Sequence, residues 1–120
     1  MADKAKFLGE FEQMTMLALI QLDTQAYGAK IRKLLDQEVN RTVAIGAIYS
    51  TLERLEKKGL VTSQLGEATA ERGGRAKRFF TVTSQGKIAL KRAKNAMDKL
   101  WQDIALRNTE SLNIIGGNLI

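Results

Sequence analysis

The order of apolar and polar residues predicts two short helices at the start of the chain. The segment Glu10–Leu22 is rich in helix formers and, after Met14, apolar over most of its circumference, which is typical of a buried helix. Asp23, Thr24 and Gln25 interrupt this apolar run. A second helix is predicted from about Ala26 to Val39. The residues on its apolar face are Tyr27, Ile31, Leu34 and Leu35.

A third predicted helix carries the clearest periodicity in the chain. Its apolar positions recur at spacings of three, four and three residues, so they form one stripe that is expected to face the core. The members of this stripe are Ile45, Ile48, Leu52 and Leu55. Thr42 is either the N-cap of this helix or the end of a short extended segment. Gly59 is the expected helix stop, because glycine favours the left-handed conformation that often follows a helix.

A hairpin and a long helix complete the predicted fold. Leu60–Leu65 and Lys77–Thr83 are predicted strands, joined by a polar tip of eleven residues from Gly66 to Ala76. Thr83 is expected to cap a last helix that continues to about Leu106, more than six turns from Ser84. The apolar stripe of that helix consists of Ile88, Ala89, Ala93, Ala96, Met97, Leu100, Trp101 and Ile104.

The far end of this helix predicts an interface between two chains. A helix that projects beyond a small domain exposes large apolar side chains, which soluble monomers avoid. The near-heptad spacing of 93, 97, 100 and 104 is typical of a contact between two helices, although packing against the first helix explains it equally well. We therefore expect a homodimer interface. Its candidate residues are Ala93, Met97, Leu100, Trp101 and Ile104.

Composition narrows the chemistry and suggests the partner. The 120 residues give room for one compact domain, and 19 Lys and Arg against 13 Asp and Glu give a net charge of +6. Eleven basic and only three acidic residues lie between Arg54 and Lys94, which favours a polyanionic partner. The chain has no His and no Cys, so disulfides, thiolate metal sites and His-based catalysis are excluded, and we expect neither an enzyme nor a cofactor or metal. The sequence shows no membrane span and no signal-peptide core, which predicts a cytoplasmic protein.

The predicted order of elements is that of a winged helix-turn-helix, mainly α with a small β-hairpin. Residues 1–83 would form the DNA-binding domain, residues 84–108 the C-terminal dimerisation helix, and residues 109–120 a tail that is either disordered or part of the dimer contact. In this fold the third helix enters the major groove and the basic hairpin follows the phosphates. The candidate DNA-binding residues are Arg41, Thr42, Gly46, Ala47, Ser50, Arg54, Lys57, Arg72, Arg75 and Lys77.

Three short blocks of the sequence, in a fixed order, carry information beyond the apolar pattern. The first block is Tyr27-Gly28. The second is Ile48-Tyr49-x-x-Leu52-x-x-Leu55-Glu56-Lys57-Lys58-Gly59-Leu60. The third is Gly73-Gly74-Arg75-x-Lys77-x-Phe79-Phe80-x-Val82-Thr83-x-x-Gly86. In this order and spacing the blocks resemble the PadR family of bacterial transcriptional regulators, over roughly residues 10–105. The combination carries the resemblance, because each block alone is common among winged helices.

The resemblance implies a homodimer that is joined through the C-terminal helix and binds an inverted-repeat operator, usually as a repressor. It also implies small aromatic effectors that weaken operator binding. Tyr49 matches the tyrosine of the family's recognition helix, and Arg75 and Lys77 match the wing cations. Because Tyr49 lies on the flank of the apolar stripe, its ring is expected to pack and its hydroxyl to reach a phosphate. The chain departs from the family at Ser50 and Ala76, where Pro is frequent, and at Phe79-Phe80, where two Tyr are usual.

Two questions stay open from the sequence. Trp101, the only tryptophan, is either interface core, which we favour, or part of a site for a planar aromatic effector. The alternative to a site-specific regulator is an architectural protein that binds DNA without sequence preference or effector control. An adaptor that binds proteins through a winged helix is a third class, and its binding would be insensitive to salt.

Overall fold

The computed structural model describes residues 7–66 and 76–105, and its elements follow the predicted order. The helices are α1 (Glu10–Leu22), α2 (Gly28–Val39), α3 (Ile45–Lys57) and α4 (Ser84–Trp101), with a 3₁₀ turn at Asp23–Gln25. The strands are β1 (Val61–Leu65) and β2 (Arg78–Val82), which pair antiparallel with Val61 opposite Val82. The mainly α fold with a small β-hairpin, a winged helix-turn-helix, is confirmed.

A single hydrophobic core lies where α1, α2 and α3 meet the hairpin. Its largest members are Met16, Leu19, Ile31, Ile48, Leu52, Leu55, Val61 and Phe80. The predicted stripe of α3 is wrong at one position, since Ile45 is 37% exposed whereas the other three residues are fully buried. Ile45 is the first residue of the helix and lies beyond the edge of the core. Thr51 is buried on that face instead.

The junction between α2 and α3 decides between the two roles predicted for Thr42. Asn40 ends α2 in the left-handed conformation, with φ of 58°. The N-cap of α3 is Ala44, in an extended conformation and without a capping side chain. Thr42 Oγ1 instead donates to Asp36 Oδ1 at 2.9 Å. Thr42 therefore belongs to the short segment before α3 and does not cap the helix.

The predicted helix stop after α3 and the predicted N-cap of α4 are both confirmed. Gly59 follows α3 with φ of +79°, in the region that favours glycine. Thr83 caps α4, because its Oγ1 accepts a hydrogen bond from the Gly86 N–H at 3.0 Å. The same hydroxyl donates to the Gly59 carbonyl at 2.8 Å. A single side chain thus connects the end of the α3 segment to the start of α4.

The last helix is shorter than predicted, and its stripe is narrower. It ends at Trp101 after 18 residues, or about five turns, and Asp103 has φ of 69°, so the predicted continuation to Leu106 is wrong. Ile104 consequently lies beyond the helix. Ile88 does not belong to the buried stripe, since it is 59% exposed while Ala89 and Leu90 are buried. At about 100° per residue it points away from both.

No helix within the described ranges is long and apolar enough to cross a membrane. The tip of the hairpin from 67 to 75 and the tail from 109 to 120 lie outside the described residues.

Candidate nucleic-acid interface

The outward face of α3 is small at its start and charged toward its end. The core residues of α3 are all on one side, and the residues on the opposite side are exposed. They are Gly46, Ser50, Glu53 and Lys57. A Cβ at Gly46 would meet no atom within 4 Å, so this end of the helix is open to close approach by another molecule. Ala47 lies exposed on the adjoining flank. Such a face suits the major groove, where small residues allow close approach and polar side chains read base edges.

Glu53 is an outward-facing residue that the sequence analysis did not include. It is exposed and shares the face of Ser50 and Lys57. Its position on the helical projection of α3 is the sequence signal that places it on this face, although an acid does not fit the cations expected at a phosphate contact. A glutamate in the major groove accepts hydrogen bonds from the amino group of cytosine, so Glu53 is a candidate for base contact and not for phosphate contact.

Tyr49 lies on the flank of α3 that faces the hairpin. Its ring is tilted against Phe80, with the ring centroids 6.3 Å apart. The ring also covers Gly28, where a Cβ would lie 2.5 Å from the tyrosine hydroxyl oxygen. Steric contact with this ring explains why glycine follows Tyr27, since a side chain at position 28 would overlap the ring in its present position. The packing half of the role predicted for Tyr49 is confirmed, and its contact with phosphate stays a prediction.

The base of the hairpin is joined to the start of α2 through Tyr27. The rings of Tyr27 and Phe79 meet edge to face with centroids 5.5 Å apart, and the two residues form an isolated β-bridge. Lys77 Nζ lies 4.5 Å from the centroid of the Tyr27 ring, within the range of a cation–π contact. Lys77 is thus held on the side of the molecule that carries the start of α2 and Tyr49. The predicted wing cations Arg72 and Arg75 lie outside the described residues.

Two predicted DNA-binding arginines are paired with acids of α1. Arg41 Nη1 lies 3.0 Å from Glu10 Oε1, and its guanidinium carbon lies 5.6 Å from the centroid of the Phe11 ring. Arg54 Nε lies 3.2 Å from Glu12 Oε2. Both arginines flank the outward face of α3, and neither is an unpaired cation.

Glu12 is the buried member of this group of charges. Its side chain is 9% exposed, and its Oε1 accepts the Gly9 N–H at 2.9 Å. Its Oε2 accepts from Arg54 and, at 3.0 Å, from Lys58 Nζ. Burial alone would raise the pKa of Glu12, but the bonds from Gly9, Lys58 and Arg54 outweigh it and hold the pKa below its ordinary value. Glu12 is therefore a carboxylate at neutral pH.

The other flank of α3 is tied to the hairpin. Ser63 Oγ donates to Glu56 Oε2 at 2.8 Å, and Arg78 Nη1 donates to Ser63 Oγ at 2.8 Å. Glu56 belongs to α3, while Ser63 and Arg78 belong to the two strands. The rotation of α3 about its axis is thus restrained by polar contacts from both sides.

The outer half of α4 continues the face that its inner half buries. Ala93, Met97, Leu100 and Trp101 project within about 100° of one another, around the direction of Ala89 and Leu90. Met97, Leu100 and Trp101 are 54%, 71% and 50% exposed. An apolar groove of about 560 Å³ runs between this face and Leu17 and Ile20 of α1. Four of the five predicted interface residues therefore share one uncovered face, and Ile104 follows the end of the helix.

The fold and the open, polar face of α3 define a winged-helix DNA-binding protein of the kind that regulates transcription. The described residues hold no cluster of three or more side chains suited to a metal ion. The PadR-like family of transcriptional regulators matches residues 16–92, and the chain belongs to this family.

Relatives agree with this assignment. The transcriptional regulator Rv3488 of Mycobacterium tuberculosis is 32% identical over 82 residues, which cover 68% of this chain and 72% of the relative. A transcriptional regulator from Clostridium thermocellum has a similar fold, with a TM-score of 0.63 and 22% identity over 76% of this chain and 85% of its own. A PadR-like transcription factor from Bacteroides fragilis gives a TM-score of 0.61 at 23% identity, over 75% and 82% of the two chains.

Proposed function

We propose that the protein is a site-specific repressor that binds an inverted-repeat operator as a homodimer. The observation that carries this proposal is the outward face of α3, which is open at Gly46, polar at Ser50 and cationic at Lys57. An architectural protein would need only the cations. The open N-terminal half of α3 favours a helix that approaches base edges.

Nine of the eleven predicted DNA-binding residues contact DNA in this proposal. Gly46, Ala47 and Ser50 would face the groove. The remaining contacts would go to phosphates, from Thr42, Lys57, Lys77, the hydroxyl of Tyr49, and the wing residues Arg72 and Arg75. Arg41 and Arg54 stand at the margin of the interface, each beside an acid of α1.

The occupant that we propose for the exposed face of α4 is a second copy of this chain. Its apolar residues continue a buried stripe, and their near-heptad spacing suits a second helix. A twofold dimer presents two α3 helices in opposite directions, which is why an inverted repeat is the expected operator.

Control by a small aromatic effector is a further part of the proposal, supported by the family resemblance and by Trp101. The indole is half exposed on the apolar face of α4, where a planar ligand would find apolar surface. Because it is the only tryptophan, its fluorescence would report such a ligand. Quenching by aromatic compounds, together with weaker operator binding, would support control by an effector. Quenching without an effect on DNA binding would contradict it.

The test of the main proposal is a fluorescence-anisotropy titration against DNA from upstream of the protein's own gene and against random duplex, over a series of salt concentrations. We expect tighter binding to the upstream DNA and a steep fall in affinity as salt rises. Equal affinity for both duplexes would favour the architectural alternative. Binding that ignores salt would favour the adaptor.

A variant pair tests the placement of α3. Gly46→Leu should remove most of the preference for the upstream DNA, because the added side chain blocks the groove, and it should weaken random binding less. Gln37→Leu, at an exposed position of α2, is the matched control and should leave both affinities unchanged. Equal losses on both duplexes for Gly46→Leu would count against a groove-facing α3.

A further inference from the structure

We propose that Glu12 is an internal competitor for DNA phosphates, which holds Arg54 and Lys58 of the α3 segment and thereby lowers affinity for random duplex. This inference rests on the proposed DNA-binding function and adds a residue that sets the electrostatic part of its affinity. Glu12 lies on α1 and is not among the residues predicted to contact DNA. Its carboxylate forms ion pairs with two cations and accepts a hydrogen bond from one backbone N–H.

The carboxylate is fixed in place before any DNA arrives. Glu12 is the third residue of α1, and its Oε1 bonds the N–H of Gly9, the residue before the helix. The positive end of the helix dipole stabilises a carboxylate at this position. Oε2 is then free to point toward α3, where it lies 3.2 Å from Arg54 Nε and 3.0 Å from Lys58 Nζ. The anion therefore meets the cations without having to order its own side chain.

The two cations are placed where phosphates would otherwise attract them. Arg54 and Lys58 lie one turn apart on the flank of α3 that faces α1, and Lys57 lies beside them on the outward face. Without Glu12, the C-terminal half of this segment would present three cations together. The Arg54 side chain is 53% exposed, so it is able to reach solvent, and what keeps it at α1 is the ion pair.

Burial explains why Glu12 would compete better than an ordinary surface acid. A buried carboxylate that loses its partners keeps a desolvation penalty, so withdrawing Arg54 and Lys58 toward DNA is unfavourable. The pair between Glu10 and Arg41 carries a smaller penalty, since its carboxylate side chain is 73% exposed and its arginine side chain 43%. Random binding depends on the number of phosphates that are neutralised, whereas site-specific binding adds base contacts. Keeping two cations away from phosphates therefore removes a larger share of the binding free energy from random duplex, which has no base contacts in addition.

The test is the salt dependence of binding to random duplex for Glu12→Gln. Glutamine keeps the shape of the side chain and an acceptor for the Gly9 N–H, but it no longer holds the cations electrostatically. We expect the slope of log affinity against log salt to steepen by about 0.9 for each phosphate gained, up to about 1.8 for two. Affinity for random duplex should rise on the order of threefold or more at moderate salt. Affinity for the upstream DNA should rise by a comparable factor, because the same phosphates are gained there.

Matched variants separate this effect from net charge. Glu38→Gln changes the net charge by the same amount at an exposed site on α2 for which the described ranges show no ion pair, and it should leave the slope unchanged. Adding Arg54→Gln to Glu12→Gln should remove about half of the gain in slope. An unchanged slope for Glu12→Gln, or an equal change for Glu38→Gln, would overturn the inference.

A second test is Lys58→Gln in the otherwise unchanged protein. Its result can be interpreted even if circular dichroism shows that Glu12→Gln folds poorly. Because Lys58 is occupied by Glu12, its removal should not reduce the slope. A salt slope reduced by about 0.9, the value for one phosphate, would mean that Lys58 already contacts DNA. That result would overturn the inference. If the unmodified protein binds no duplex at all, the proposed function fails. If it binds the upstream DNA but Glu12→Gln behaves like the unmodified protein, only the role of Glu12 fails.

Discussion

Helices α3 and α4 both carry a strong apolar stripe, but among the described residues only the stripe of α3 is covered along its length. Leu52 and Leu55 are fully buried near the end of α3, whereas Met97 and Leu100 are more than half exposed near the end of α4. The polar contacts differ in the same way. Polar side chains of α1 and the hairpin bond both flanks of α3, but the outer half of α4, in the described residues, shows only a pair within the helix, Lys94 with Asp98. Contacts within one chain therefore set the position of α3, while the described residues leave the end of α4 exposed.

The largest expected effect is a loss of stability caused by a substitution at Gly86, in the packed region. A Cβ there would collide with the Leu60 carbonyl oxygen and press on Val82 Cγ1 and Met16 Cε. Because a backbone atom cannot turn aside as a side chain can, Gly86→Ala should lower the free energy of unfolding by about 3 kcal/mol. Denaturation by urea measures it.

Gly46→Ala is the control for this prediction. Its Cβ would meet no atom, and alanine favours the helix, so the free energy of unfolding should stay the same or rise by about 0.5 kcal/mol. Equal losses for the two variants would contradict the packing described around Gly86.

The second prediction tests the uncovered end of α4. Met97→Lys places a charge on the exposed face and should weaken the proposed dimer by about 2 kcal/mol, or about 30-fold in Kd, with little change in the stability of the monomer. Ile88→Lys is matched to it, since Ile88 is an exposed apolar residue on the opposite side of the same helix. Sedimentation equilibrium should show weakening only for Met97→Lys. A similar change for both would place the contact elsewhere.

These regions also differ in how well the sequence predicted them. The packed half was predictable because its signals are local: Gly59 and Thr83 mark ends of elements, and the stripe of α3 has a helical period. The predictions that failed concern apolar residues whose burial depends on the tertiary structure and not on the local pattern. Ile45 and Ile88 are apolar, but one is at the margin of the core and the other on its far side, and only the fold reveals this. The continuation of α4 to Leu106 failed because apolar spacing persists in Ile104 after the helix has ended.

The acids of α1 could not have been found from sequence. Glu12 and Arg54 are 42 residues apart, and no periodicity connects them. Glu12 lies in an ordinary helical pattern, where an acid near the N-terminus is common. Its role follows only from the crossing of α1 and α3. The residues of α3 that we propose to contact DNA project from one helix and follow its period, whereas the residues that restrain them come from other elements.

The third prediction compares the two acids of α1. Glu12→Gln should cost about 2 kcal/mol at pH 7, because Lys58 and Arg54 lose a buried partner, while Glu10→Gln should cost well under about 0.5 kcal/mol. The pKa of Glu12 is lowered in the folded protein, so its contribution is fully present above the ordinary value of 4.5. It is lost as the pH falls through the lower pKa of the folded state. Urea denaturation between pH 7 and 3 should show the difference between the unmodified protein and Glu12→Gln shrinking below pH 4.5, and a constant difference would contradict this.

The smallest expected effect is at the junction of the two regions, where Thr83 joins the packed domain to α4. Thr83→Ala removes both the cap on the Gly86 N–H and the bond to the Gly59 carbonyl, so it should cost about 1 kcal/mol of unfolding free energy. Thr83→Ser keeps the hydroxyl and should recover more than half of this loss. Amide hydrogen exchange at Gly86 should accelerate in Thr83→Ala, while exchange in the centre of α3 changes only by the global loss. If serine were as costly as alanine, the methyl group and not the hydroxyl would hold the junction, and the start of α4 would depend on packing alone.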